Sequence, residues 1–240
     1  MKTKTSVFTS PRIVETRTLT AAYAASALLL RTNRIAFFDG PPGTGKTTAA
    51  SVIAEQVDRP VAMLTMSFRP AHLDVLRNTM KALTGLNGSG TKSQMEDELT
   101  HVLKDWGGLL IVDEVQNCGT AGIQALRYLH DRSGCSFALL LVGWQALDTI
   151  RAHPDLQSRV ISEVIFEPMS GRELFDYVHA SHEELATTTR EVLSFVDSHY
   201  ARGILRNWRN VAETMTATGL TILENDEEAR HVLQLLSGTS

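Results

Sequence analysis

The chain has 240 residues, 43% hydrophobic and 21% charged, with 16 Gly against 7 Pro, a composition that excludes collagen, coiled coil and intrinsic disorder. Its formal net charge of -4 gives no general attraction to nucleic acid or to an anionic membrane, so any DNA contact has to come from a local basic patch. The two cysteines, Cys118 and Cys135, have neither a CxxC nor a Cys/His spacing, which excludes a zinc signature and a disulfide framework and implies a reducing compartment, the cytoplasm.

The first 34 residues carry Lys2, Lys4, Arg12, Arg17, Arg31 and Arg34 against Glu15 alone. They read as a basic arm followed by a helix over 19–30 that Thr18 caps. The apolar stretch 21–30 is interrupted by Ser26 and followed by Arg31 and Arg34, so it reads as a packed helix in preference to a secretory leader. No apolar run reaches the roughly 20 residues of a membrane span.

From residue 35 onward short apolar runs alternate with helical periodicity. Strands are predicted at 35–38, 61–65, 109–112, 137–142 and 160–166, and helices at 46–57, 72–83, 93–106, 121–132 and 145–152. Most of the runs are continuous, as in strands buried on both faces of a parallel sheet. The alternation predicts a doubly wound α/β layer, with the Gly-rich stretch 85–90 as a surface loop. Past Pro168 the pattern changes: Ser170 and Glu173 have the spacing of a capping box, and helical periodicity runs through 171–179, 188–200, 204–216 and 227–236. Three segments follow: an arm and helix (1–34), an α/β core (35–167) and a helical lid (168–240). A plain C-terminal helical extension is the competing reading of the last.

Two motifs carry chemistry. Gly40-Pro41-Pro42-Gly43-Thr44-Gly45-Lys46-Thr47 matches a phosphate-binding loop and stands between a predicted strand and a predicted helix, as the mechanism requires. Gly43 and Gly45 let the backbone curl so that its N–H groups face phosphates at the helix N-terminus. Lys46 then bridges the β and γ phosphates and the Thr47 hydroxyl ligates Mg²⁺. The second motif, Leu109-Leu110-Ile111-Val112-Asp113-Glu114, places two carboxylates at the C-terminal end of a buried strand, where open α/β sheets bind ligands. Asp113 suits the Mg²⁺ shell and Glu114 suits a general base acting on water. The adjacent pair argues for hydrolysis.

With these motifs the chain resembles the AAA+ ATPases from about Val14 to its end. Within them it is most similar to transposition helper ATPases of the Mu B and TnsC type. The likeness rests on the phosphate loop from Asp39 to Thr48, on Val112-Asp113-Glu114-Val115-Gln116-Asn117, on the stretch 126–134, on Leu141-Val142-Gly143 and on Gln157-Ser158-Arg159-Val160. It implies a P-loop fold with a parallel sheet of order 5-1-4-3-2 and a helical lid, with Thr48 in the ATP-binding set. It also implies that Arg159 is an arginine finger reaching into a neighbouring subunit; a salt bridge within one subunit is the competing reading. Arg206 matches the second sensor, or is a solvated helix arginine.

The sequence departs from the family at the first sensor. Many members place Asn or Thr after the Leu141-Val142-Gly143 strand, where this chain has Trp144, and Gln145 is the nearest polar side chain for the γ-phosphate or water. The family's DNA-facing region offers Arg69, Arg77, Lys81 and Lys92, with Arg77 and Lys81 at i and i+4 on one helix face; a charged solvent face is the bland reading. The resemblance implies slow ATP hydrolysis, duplex DNA bound through phosphates, assembly with further copies as a ring or helical filament, and a transposase or other DNA-processing partner. Another AAA+ switch, in replication loading or secretion, and an ATP-gated protein-interaction module with negligible hydrolysis are the rival readings.

Overall fold

A computed structural model describes residues 13–67, 70–151 and 154–238. The chain divides into two compact units, one of Arg17–Glu167 and one of Pro168–Ser240 with the residues up to Thr16.

The first unit is built on five parallel strands, β1 (Ile35–Asp39), β2 (Val61–Thr65), β3 (Leu109–Asp113), β4 (Ala138–Gly143) and β5 (Val160–Ile165), in the order β2-β3-β4-β1-β5. This is the predicted order. β4 lies between β1 and β3, pairing Phe38 with Val142 on one side and Val112 with Leu141 on the other.

Side chains along the inner strands alternate between two cores. Ile35, Phe37, Leu110, Val112, Leu139 and Leu141 enter one, while Ala36, Phe38, Leu109, Ile111, Ala138, Leu140 and Val142 enter the other. The first core takes the apolar faces of α3 (His72–Thr84), α4 (Lys92–Lys104) and α5 (Gly119–Arg132) through Val75, Leu76, Met95, Leu99, Leu126 and Leu129. The second takes α1 (Arg17–Thr32) and α2 (Lys46–Gln56) through Ala22, Leu29, Ala50 and Ile53. With helices on both faces the inner strands β1, β3 and β4 have no wet side, which is why their sequences read as unbroken apolar runs, whereas Glu163 and Ile165 of the edge strand β5 are exposed.

The helix predicted over 145–152 is α6 (Ala146–Arg151), and a further short helix, α7 (Pro154–Gln157), follows it. The cap assigned to Thr18 is not one: α1 begins at Arg17 and Thr18 lies inside its first turn.

The second unit is helical: α8 (Gly171–Ser181), α9 (Arg190–Val196), α10 (Leu205–Thr218) and α11 (Asp226–Ser237). They enclose a core of Leu174, Val178, Leu193, Trp208, Val211, Met215 and Val232, with Trp208 wholly buried. Ser170 occupies the N-cap of α8, but its side chain makes no capping hydrogen bond, so the predicted capping box does not form. One forms instead at α4, where Thr91 and Gln94 cap reciprocally. The predicted helix over 188–200 closes in a widened π turn, Asp197–Ala201. Arg202, at φ 50°, ends it.

Candidate functional site

The phosphate loop leaves the C-terminal end of β1 and enters α2. Gly43 and Gly45 take left-handed φ values of 83° and 99°, which a side chain would strain. Gly45 is the N-cap of α2 and offers no side chain to its first amides, leaving those donors directed at the loop. Lys46 is buried, and its Nζ donates to the carbonyls of Gly40 at 2.6 Å and Pro41 at 2.8 Å. Thr44 Oγ1 also donates to Pro41 O, at 2.9 Å. Pro42, Thr47 and Thr48 are exposed around the loop and the first turn of α2.

Across β4, the end of β3 brings Asp113 to this loop. The carboxylate is 4% exposed and both of its oxygens are engaged: Oδ2 accepts from Thr47 Oγ1 at 2.8 Å, and Oδ1 from the Glu114 N–H at 2.9 Å. A hydroxyl and a carboxylate side by side form the oxygen donor set of a hard divalent cation. Thr47 and Asp113 therefore fit the Mg²⁺ role that the sequence assigns them.

Glu114 is exposed and sits at φ 55°, ψ 39°, a left-handed conformation that costs a non-glycine residue on the order of 1 kcal/mol or more and is held by its surroundings. Its carboxylate accepts a hydrogen bond from Gln116 Nε2, in the 3-10 turn Val115–Cys118. Gln116 Oε1 accepts in turn from the Trp144 N–H at 3.0 Å. Sequence reasoning missed Gln116; the available signal was a carboxamide two residues past the carboxylate pair. Gln145, assigned there, has an exposed side chain and a φ of 58°. Its backbone N–H, with that of Gly40, faces the Asp39 carboxyl, which burial pushes above its usual range against the opposing pull of these amides and of Lys46. The Trp144 side chain is 42% exposed.

The remaining predicted residues stand on other elements. Arg159 Nε donates to both Asp131 oxygens, at 2.7 and 3.0 Å, and its Nη1 to Asp155 O at 2.6 Å. The intrasubunit ion pair is thus the contact that the single chain makes. Arg127 shares Asp131 at 2.7 Å. Among the described residues, His130, Asp131 and Cys135 bring ligand atoms within 4.8 Å of one another. Two guanidinium groups already neutralise that carboxylate, and burial pushes the Cys135 thiol up, away from the thiolate a metal needs. The cluster is ion pairing.

Arg206 is exposed in the first turn of α10, in the helical unit. Arg77 and Lys81 are both exposed on α3, Arg77 within 3.7 Å of Asp74. Lys92 opens α4 and lies 3.7 Å from Glu96. Arg69 falls outside the described residues.

Known proteins are similar to this chain in sequence and in fold. The chain is 28% identical over 131 residues to the ATP-dependent target DNA activator B of Escherichia phage Mu, and equally to that of Escherichia phage D108, a match of 54% of this chain and 42% of each relative. The chain therefore spans less than half the length of these curated relatives. In fold it is similar to the Thermotoga maritima RuvB Holliday junction branch migration motor, with a TM-score of 0.58 at 17% identity over 93% of this chain and 70% of that one. A variant of the same protein gives 0.57 at 16% identity, over 91% and 67%. The model of the AAA domain family matches residues 30–150, which span the phosphate loop, both carboxylates and Gln116, and the chain belongs to that family.

Proposed function

We propose that the chain is an ATP-hydrolysing switch that binds duplex DNA with little regard to sequence, assembles on target DNA in further copies, and delivers that DNA to a transposase. The observation that carries the ATPase part is the convergence of Lys46, Thr47, Asp113 and Glu114 at the ends of β1 and β3. The DNA and transposase part rests on the likeness to ATP-dependent target DNA activators.

The loop amides and the α2 N-terminus would cradle the phosphates of ATP, and Lys46 would exchange its carbonyl partners for β and γ oxygens. Thr47 and Asp113 would hold Mg²⁺, which supplies charge neutralisation on the transferred phosphoryl group. Glu114 would orient a water and take its proton. Arg159, presented from a neighbouring copy, would stabilise charge on the γ-phosphate, and Arg206 would report the nucleotide to the lid. ATP would hold the assembly and hydrolysis would release it.

The test is a pair of variants with separable effects. Lys46→Ala abolishes ATP binding and every ATP-dependent property, whereas Glu114→Gln keeps ATP binding and loses turnover, because only the second residue acts on water. Nucleotide titration and phosphate release measure the two. Equal ATP affinity for Lys46→Ala and the parent would sink the phosphate-loop assignment. Exposed Trp144, standing at the family's first-sensor position, favours a second reading, an ATP-gated interaction module. Tight ATP binding by the parent with no turnover would establish it.

A further inference from the structure

The first-sensor position of this chain is Trp144, whose side chain has one N–H donor and no acceptor for a water. β4 nevertheless ends between the phosphate loop of β1 and the carboxylates of β3, and a polar group does reach this point from elsewhere. Gln116 folds back from the 3-10 turn so that its Nε2 donates to the Glu114 carboxylate and its Oε1 receives the Trp144 N–H at 3.0 Å.

The backbone leaves room for the amide. A Cβ on Gly143 would lie 2.4 Å from Gln116 Oε1 and 3.0 Å from Val115 Cγ1, so the carboxamide lies where a side chain at 143 would displace it. Both ends of the amide are therefore used, one on the general base and one on the last turn of the sensor strand. A carboxamide has a fixed separation between donor and acceptor, so displacement at one end is felt at the other.

We propose that Gln116 is a positioning residue which ties Glu114 to the end of β4 and so supplies the carboxamide that position 144 lacks. This rests on the hydrolytic reading above and deepens it. Glu114 stands in a left-handed conformation with its side chain exposed, and the Gln116 hydrogen bond holds its carboxylate. Movement of the Trp144–Gln145 segment when a γ-phosphate is bound would shift the amide and with it the base.

The test has one arm that needs no hydrolysis. By amide hydrogen exchange in the full chain, the Trp144 N–H loses protection in Gln116→Met, which keeps the length and removes both polar atoms. It retains protection in Gln116→Glu, which still offers an acceptor. In the kinetic arm, Gln116→Met lowers ATP turnover by about tenfold to about a hundredfold, the scale of an ångström of misplacement, while ATP affinity stays within about twofold. Gln116→Glu, which sets a like charge against Glu114 in place of a donor, loses turnover as well. Gly143→Ala, with Gln116 intact but displaced, repeats the Gln116→Met result in both arms. Combined with Glu114→Gln, the Gln116→Met change has no further effect on turnover, as two residues acting through one group require.

A Trp144 amide that is unmoved in Gln116→Met overturns the proposal. So does turnover within about twofold of the parent, or a loss expressed only in KM. A parent that binds ATP and never turns it over defeats the hydrolytic reading instead. The exchange arm then still decides: a responsive Trp144 amide sustains the tie between Glu114 and β4, and a silent one refutes it.

Discussion

Arg159 poses the sharpest question at the scale of single residues, because its charge is committed to Asp131 within the chain and yet proposed for a neighbour's γ-phosphate. Magnitudes make the two roles compatible. A partly exposed ion pair is worth at most about 1 kcal/mol, whereas a guanidinium acting on a transferring phosphoryl group changes rates by about 10³ to 10⁵, so Asp131 can seat the side chain without retaining it. Arg159→Ala is therefore expected to keep ATP binding and lose most turnover, while Asp131→Asn, which releases the guanidinium, keeps turnover within a fewfold. Mixing Arg159→Ala with Glu114→Gln restores activity, since some interfaces then join an intact finger to an intact base. Matching losses in Arg159→Ala and Asp131→Asn, with no recovery on mixing, would assign the arginine to the cis pair alone. The phosphate loop and the Asp113-Glu114 pair were legible because their chemistry needs particular residues at contiguous positions after a strand. Gln116 was legible only as a carboxamide two residues past that pair: its role depends on the carboxamide folding back to meet Trp144, 28 positions further along, a contact that only the fold creates. Gln145 is the nearest polar residue to Trp144 in sequence, but with its left-handed φ of 58° it presents its backbone N–H to Asp39.

Elements show the same division between what is local and what is not. The inner strands β1, β3 and β4 are readable because burial on both faces removes any need for polar alternation, the edge strands β2 and β5 are only partly buried, and the sheet order came from the family resemblance. Helix ends were less so: Thr18 and Ser170 have the chemistry of caps, but capping depends on where the chain enters the helix, and Thr18 lies one residue inside. The π turn at Asp197–Ala201 and the 3-10 turn at Val115–Cys118 differ from α-helix only in hydrogen-bond spacing, which periodicity in a short segment does not resolve. Buried histidines provide a test at this scale, one in each unit. His130 on α5 is 1% exposed with Nε2 2.9 Å from Asn33 O, and His182, which caps the end of α8, is 7% exposed; burial lowers the pKa of both below the ordinary 6.5. The unfolded chain then binds protons that the native chain does not over the window from the depressed values up to about 6.5, so stability rises with pH through that window and falls on acidification. Urea midpoints are expected to drop from pH 7.5 to pH 5.5, and His182→Phe to flatten that drop. His130→Phe flattens it too, while losing about 1 kcal/mol with the Asn33 hydrogen bond. A midpoint that is constant or rises on acidification would contradict the buried neutral state of these side chains.

For the whole molecule the decisive quantity is charge. A chain of net charge -4 has little attraction for phosphates, and its candidate contacts are diluted where they stand, Arg77 by Asp74 and Lys92 by Glu96. One copy therefore offers too few uncompensated cations to hold a duplex at physiological salt, where each contact is screened over about 8 Å. Several copies in a ring or filament would repeat the α3 face along one backbone, and the number of neutralised phosphates would grow with every copy added. Duplex DNA is accordingly expected to bind only with ATP present and cooperatively in protein. Its affinity should fall with salt at a logarithmic slope of about -0.9 per neutralised phosphate. Arg77→Ala with Lys81→Ala should make that slope shallower and leave ATP affinity intact, because neither residue is near the phosphate loop in sequence or in element. Base composition of the duplex should matter little, since phosphate contacts set register without reading bases. No helix among the described residues is long and apolar enough to cross a membrane, so vesicles of anionic lipid serve as the control for charge alone. Binding to DNA that is unchanged when ATP is omitted, or absent in Glu114→Gln with saturating ATP and Mg²⁺ at low salt, would remove DNA from the proposed function. Weight would then pass to the ATP-gated protein-interaction reading, in which the exposed Trp144 beside the phosphate loop becomes a contact for a protein partner.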